Sequence, residues 1–248
     1  MFALATLVFA ACSDDHAISD GNSDVVTDPS GDAWVALNIK TPAAVTRGLN
    51  IPNQENAITG EYEIEDVKAI FFDGDQDASL VTKVIDLSTG SGDLTSSGAS
   101  SSSKAFQIPA TSKTILIIAN PGAGFSSVGE GSSFVDVNKA VKDESITTSV
   151  AKTGTFLMTN SKGHLEPSDN SGNTINLTLY KSQDVAVKNP LAIYIDRVVA
   201  KVRVYTSDGA MDNSMASIYS PKWILNVTNK WYYPVSRRIK TWNEDPAN

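Results

Sequence analysis

The sequence predicts an all-β protein, a β-sandwich with few and short helices, on three observations. Short runs of β-branched and aromatic residues recur along the chain. Several of them alternate apolar and polar residues with period two, which puts one face of a strand inward and the other in water. Clusters of Gly, Ser, Asp and Asn separate the runs as turns do. With 248 residues, 41% of them hydrophobic, the chain has material for one large domain or one and a half ordinary ones.

The first strand is Ala33 to Ile39, where Ala33, Val35, Leu37 and Ile39 share one face; Pro42 with Ala43 and Ala44 ends it. Residues 50–59 are polar and loop-like. Val67 to Phe72 and Thr82 to Leu87 flank the turn-rich Asp73-Gly-Asp-Gln-Asp77, the pattern of a hairpin. From Ser88 to Ser103 half of the residues are serine, which reads as an exposed flexible loop. Lys104 to Ile108 is a short strand stopped by Pro109. Thr114 to Asn120, the most apolar run after the first dozen residues, is a central strand. Phe134 to Val141 is a short helix with Phe134, Val137 and Val141 on one side. Four β-rich runs follow: Gly154 to Thr159, Thr174 to Tyr180, Leu191 to Tyr205 and Trp223 to Thr228. In the longest, Val198, Ala200, Val202 and Val204 face one way, Lys201 and Arg203 the other. No internal repeat is visible.

Composition removes several functions. A net charge of −8 opposes nucleic-acid binding, which is built from clustered Lys and Arg. The two histidines, His16 and His164, fall in an acidic tail and a Gly/Asp/Asn loop, neither a setting for a catalytic triad or a His/Cys metal site. The reading is a non-enzyme with no cofactor. The glycine run after Ile117 fits neither common phosphate-loop spacing, and Pro121 interrupts it. Asp73, Asp75 and Asp77 have the one-three-five spacing of a calcium loop. They lack its sixth-position glycine, and Val84 stands where the bidentate glutamate belongs, so a solvated hairpin tip is expected. Asn176 and Asn226 match the N-glycosylation pattern but read as solvent-facing strand residues. Trp231, Tyr232 and Tyr233 read as core packing at a strand end rather than as a sugar platform.

Cys12 is the only cysteine, so no disulfide forms within the chain. The apolar run before it is about half of the roughly 20 residues a transmembrane helix needs. Ala10-Ala11-Cys12 resembles a bacterial lipobox, which makes Cys12 the lipidation site and 1–12 a lipoprotein signal peptide. No Lys or Arg precedes Cys12, although a signal peptide carries a positive n-region, so the natural start is expected upstream. Residues 13–32 form an acidic tether too polar to order itself. Its Ser13-Asp-Asp15 resembles the export signal of surface lipoproteins of Bacteroidales. Thr46-Arg47-Gly48 follows the first strand through a Pro/Ala-rich stretch of the kind proteases reach. A cut between Arg47 and Gly48 frees the strand with the tether, leaving an apolar groove and unpaired backbone that templates another strand.

Several stretches, in order along the chain, resemble the fimbrillin family of Bacteroidales type V pilus subunits: the lipobox and acidic tail, Thr41-Pro-Ala-Ala-Val-Thr-Arg47, Val67 to Phe72 with its turn, Phe156-Leu-Met-Thr-Asn160, Asp196-Arg-Val-Val-Ala-Lys-Val202 and Trp223 to Lys230. The resemblance implies transthyretin-like β-sandwich domains and export as an outer membrane lipoprotein precursor. It further implies a cut after Arg47 by an arginine-specific surface protease, and donor-strand exchange with neighbouring fimbrial subunits at the cell surface. Carried over, 33–47 is the removable strand and processing loop, 48–220 the N-terminal β-sandwich, and 221–248 an interdomain strand or the start of a second domain. The chain is then expected to be a fragment that accepts a strand without donating one. The alternative is a lipid-anchored surface lipoprotein that does not polymerise, either a fimbrial anchor or tip or a module binding glycans or host proteins.

Overall fold

The computed structural model describes residues 24–41, 61–139, 141–142, 150–152, 155–160, 163–199 and 231–235. Cys12, His16, Arg47, Gly48 and the Trp223–Thr228 run lie outside them.

The chain is all-β with two short helices among the described residues. In order, the elements are β1 (Asp32–Val35), β2 (Leu37–Lys40), β3 (Asp66–Phe72), β4 (Val81–Ser88), β5 (Leu94–Ser97), β6 (Ser100–Ser103), β7 (Phe106–Pro109) and β8 (Thr114–Ala119). A 3-10 turn, Ala123–Phe125, precedes α1 (Phe134–Val137), β9 (Val141–Lys142), β10 (Ala151–Lys152), β11 (Thr155–Phe156) and β12 (Met158–Asn160). The last elements are α2 (Gln183–Lys188), β13 (Leu191–Arg197) and β14 (Trp231–Tyr232).

Eight strands form one sheet in the order β4-β3-β8-β12-β13-β2-β6-β5. β13 joins its two halves: Leu191 to Tyr194 pair in parallel with β2, and Ile195 to Arg197 pair antiparallel with β12. Inward residues of both halves meet in one core: Val67, Ala69, Phe71, Ile115 and Ile117 from one, Leu37, Ile39, Leu94 and Ile193 from the other. The sheet therefore folds over this core as a sandwich does. A second core covers the opposite face of the β3–β8 half, where Ile70, Phe72, Leu116 and Ile118 meet Phe125, Phe134, Val137, Leu157 and Val235. Strand alternation sends neighbouring residues of β3 and β8 to different cores, which is why β8 is buried throughout.

Most expected strands stand, with corrections. The Ala33–Ile39 strand is broken at Ala36 into β1 and β2, because Ala36 is buried against α2 and its carbonyl accepts from Leu191 N–H at 2.8 Å. The serine-rich stretch is not a flexible loop beyond its first turns: β5 and β6 form a hairpin carried by backbone pairing onto β2. Its hydroxyls find local partners, Ser96 with Ser101 at 2.9 Å and Ser100 donating to Asn38 Oδ1 at 2.6 Å. The helix expected to reach Val141 stops at Val137, where Asn138 Oδ1 accepts from Val235 N–H, and Val141 enters β9. Thr174 to Tyr180 makes single bridges only; the expected Leu191–Tyr205 strand is formed over Leu191–Arg197, and residues 200–205 lie outside the described residues. Helix α2 was not anticipated.

Candidate functional site

The segment Asp32–Lys40 is where the fold concentrates features a function can use. β1 pairs antiparallel with β7, and on its other side Trp34 exchanges two backbone hydrogen bonds with Tyr180, at 2.8 and 2.9 Å. β2 is interior to the large sheet, with β13 parallel on one side and β6 antiparallel on the other. Leu37 N–H, at the end of that ladder, donates to Ser103 Oγ at 2.9 Å. The side chains expected to share one face do so: Ala33, Val35, Leu37 and Ile39 are each at most 1% exposed in the first core. The other face of β2 is half-buried, with Lys40 Nζ 5.1 Å from the Tyr194 ring centroid.

Between the two halves, Ala36 faces away from the first core into a small cluster of its own with Ala105 and Ala186, rimmed by Trp34 and Tyr180. Ala186 belongs to α2, which is capped at its start by Ser182 and closed by Asn189, whose side chain donates to the Val185 carbonyl at 3.0 Å. Nothing in the alternation of the first strand marks Ala36 as special. The signal that could have found α2 is Ser182 at a helix start, with acidic Asp184 in the first turn and Lys188 in the last.

The remaining sequence candidates serve the fold. Asp73 Oδ1 accepts from Leu80 N–H at 2.8 Å and Asp75 Oδ1 from Gln76 Nε2 at 2.7 Å, so these carboxylates build the turn. No group of three or more His, Cys, Asp or Glu side chains suited to a metal occurs among the described residues. His164 lies in the loop between β12 and α2, as expected, and is buried there, with Nε2 3.8 Å from Glu166 Oε1; Glu166 is backbone-bonded to Ile115 of β8. Tyr232 packs near Phe125 beside the second core, with ring centroids 6.4 Å apart. No described helix is long and apolar enough to cross a membrane.

Two asparagines were missed by sequence reasoning. Asn160 Oδ1 accepts from Ile117 N–H, and its Nδ2 donates to the carbonyls of Ile115 and His164, so this side chain continues the β12–β8 ladder where backbone pairing stops. Asn120, with φ of 53°, closes the end of β8: its Oδ1 accepts from Glu65 N–H and its Nδ2 donates to the carbonyls of Glu63 and Phe156. Asn160 ends the Phe156-Leu-Met-Thr-Asn160 stretch, and an asparagine at the end of an apolar strand is the signal that was available.

No protein-family model matches the chain, and no curated protein does. Among solved structures it is similar to fimbrial and cell-adhesion proteins of Bacteroidales. One, from Parabacteroides distasonis and assigned to cell adhesion by inference, is 16% identical with a TM-score of 0.40, over 67% of this chain and 46% of that one. A fimbrial assembly protein from the same organism is 13% identical, TM-score 0.35, over 68% and 54%. The tip fimbrial protein Mfa3 from Porphyromonas gingivalis, C-terminally truncated, is 13% identical, TM-score 0.36, over 68% and 49%. The chain thus spans about half the length of these proteins, and the likenesses are too distant to assign it a function.

Proposed function

We propose that this chain is a non-enzymatic structural subunit of a surface fimbria. It is delivered as a precursor lipidated at Cys12 and activated by a cut between Arg47 and Gly48. The cut releases the Asp32–Lys40 segment, and a donor strand from a neighbouring subunit takes its place. One observation carries the reading: β2, the second half of the segment, is interior to the eight-stranded sheet, yet the chain leaves it directly into the stretch that holds Arg47. Arg47 is the first arginine in the sequence, and the next is Arg197, within β13. Between the segment and β13, an arginine-specific protease therefore has one site, just beyond the segment.

Energetics support exchange over simple loss. Val35, Leu37 and Ile39 each gain roughly 1.5–3 kcal/mol by leaving water, and the ladders to β7, β6 and β13 add to that. A groove stripped of this strand is too apolar to persist, so another strand of similar pattern is its stable occupant.

The test uses the protein as the cell makes it, with an intact C-terminus able to donate a strand. Treatment with an arginine-specific protease should expose Gly48 as a new N-terminus and convert monomer into ladders on a non-denaturing gel. An Arg47→Ala form should stay monomeric. Ladders from that variant at the unmodified rate would overturn the mechanism. A cut chain that stays monomeric would favour the lipid-anchored, non-polymerising alternative.

A further inference from the structure

We infer that helix α2 is a size gate for the incoming strand: at the position now held by Ala36 it admits a residue no larger than alanine. The inference rests on the strand-exchange reading and adds to it the chemistry of the partner. Of the nine residues from Asp32 to Lys40, the odd-numbered inward positions fill the first core, which any alternating apolar strand can do. Ala36 is different. It is an even position and yet only 2% exposed, enclosed by Ala186 at 0% and Ala105 at 8%, with Trp34 and Tyr180 at the rim.

Three alanines in contact leave no space for a longer side chain unless the helix moves, and overpacking of this kind forces backbone shifts. The helix is poorly placed to move. Asn189 closes it, its backbone N–H donating to the carbonyls of Val185 and Ala186 in the last turn. Only Pro190 separates Asn189 from β13, the strand that pairs with β2. The Leu191 N–H bond to the Ala36 carbonyl then fixes the depth at which residue 36 sits. The partner is therefore an extended segment with apolar residues at four alternating positions and one small residue between the second and third of them.

Competition between peptides tests this on the full chain, nicked after Arg47 with its own segment left in place. A dye-labelled peptide of Asp32 to Lys40 is exchanged into the groove, and unlabelled peptides compete for it. The unmodified peptide and an Asp32→Leu peptide, enlarged at an exposed even position, should compete at similar concentrations. An Ala36→Leu peptide should need roughly tenfold more or worse. Equal competition by Ala36→Leu, or equal weakening by Ala36→Leu and Asp32→Leu, would overturn the size gate and leave strand exchange standing. Failure of the unmodified peptide to enter the groove at all would overturn the exchange reading itself.

Discussion

β8 and β2, the second half of the Asp32–Lys40 segment, are both interior to the eight-stranded sheet, and they are held in opposite ways. β8 has cores on both faces and pairs along its whole length with β3. Asn160 extends its other side past the last backbone pair with β12. The Asp32–Lys40 segment has the first core on one face, and on the other only the small cluster at Ala36, with β2 half-buried there. It is divided at Ala36 and borders the serine hairpin of β5 and β6, where the inward contribution is small. A strand covered on two faces can leave only if the domain unfolds. A strand covered on one face can leave by opening that face, so burial of side chains alone does not decide which strand is permanent.

The largest effect expected on global stability comes from the permanent side. Ile117→Ala should lower unfolding free energy by about 2–5 kcal/mol, read from denaturant curves. Asn160→Ala should follow, at about 1–3 kcal/mol, because it strands the Ile117 N–H inside the sheet. A loss below about 0.5 kcal/mol in either would mean that β8 is not the anchor.

Leu37→Ala removes as much apolar surface as a β8 truncation, from a side chain equally buried. The comparison predicts a different readout. Amide exchange across Ala33 to Lys40 should quicken by roughly tenfold or more while β8 amides keep their protection, the mark of a sub-global opening. Equal acceleration in both regions would erase the distinction between them.

How much of this was legible follows the same division. β3, β4 and β8 announce themselves because a strand packed on apolar neighbours must be written in apolar residues. The β5–β6 hairpin was hidden because its stability lies in backbone pairing and hydroxyl contacts such as Ser96 with Ser101, which composition records only as polarity. Helix α2 spans Gln183–Lys188 and buries Ala186 alone, too little for any period to show. The break at Ala36 is a tertiary fact, set by α2 and Leu191, and no local pattern encodes it. The proposed chemistry at Cys12 and Arg47 rests on motifs that lie outside the described residues.

The smallest expected effect lies far from either strand, at α1, and tests whether the second core depends on its helix. Ser133 caps α1: its Oγ accepts from Asp136 N–H at 3.2 Å and donates to the Asp136 carboxylate at 2.6 Å. Lys139 first, and Ser133 second, hold the Asp136 carboxyl below the ordinary carboxylate range. A carboxyl depressed in the folded state contributes stability at pH values above its unfolded value, and that contribution disappears as pH falls through the folded value. By removing the cap, Ser133→Ala should destabilise by about 1 kcal/mol at neutral pH. Part of that difference between variant and parent should vanish in acid, once Asp136 is protonated in both. Because Phe134 packs edge-on against Phe72 of β3, with ring centroids 5.5 Å apart, the change should be felt in the second core. The Asp32–Lys40 segment packs on the first core and the small Ala36 cluster, not on the second core, and should not respond. Faster amide exchange in that segment in the Ser133→Ala chain would show that the two faces of the sheet are coupled, and the separation between permanent and exchangeable strands would have to be abandoned.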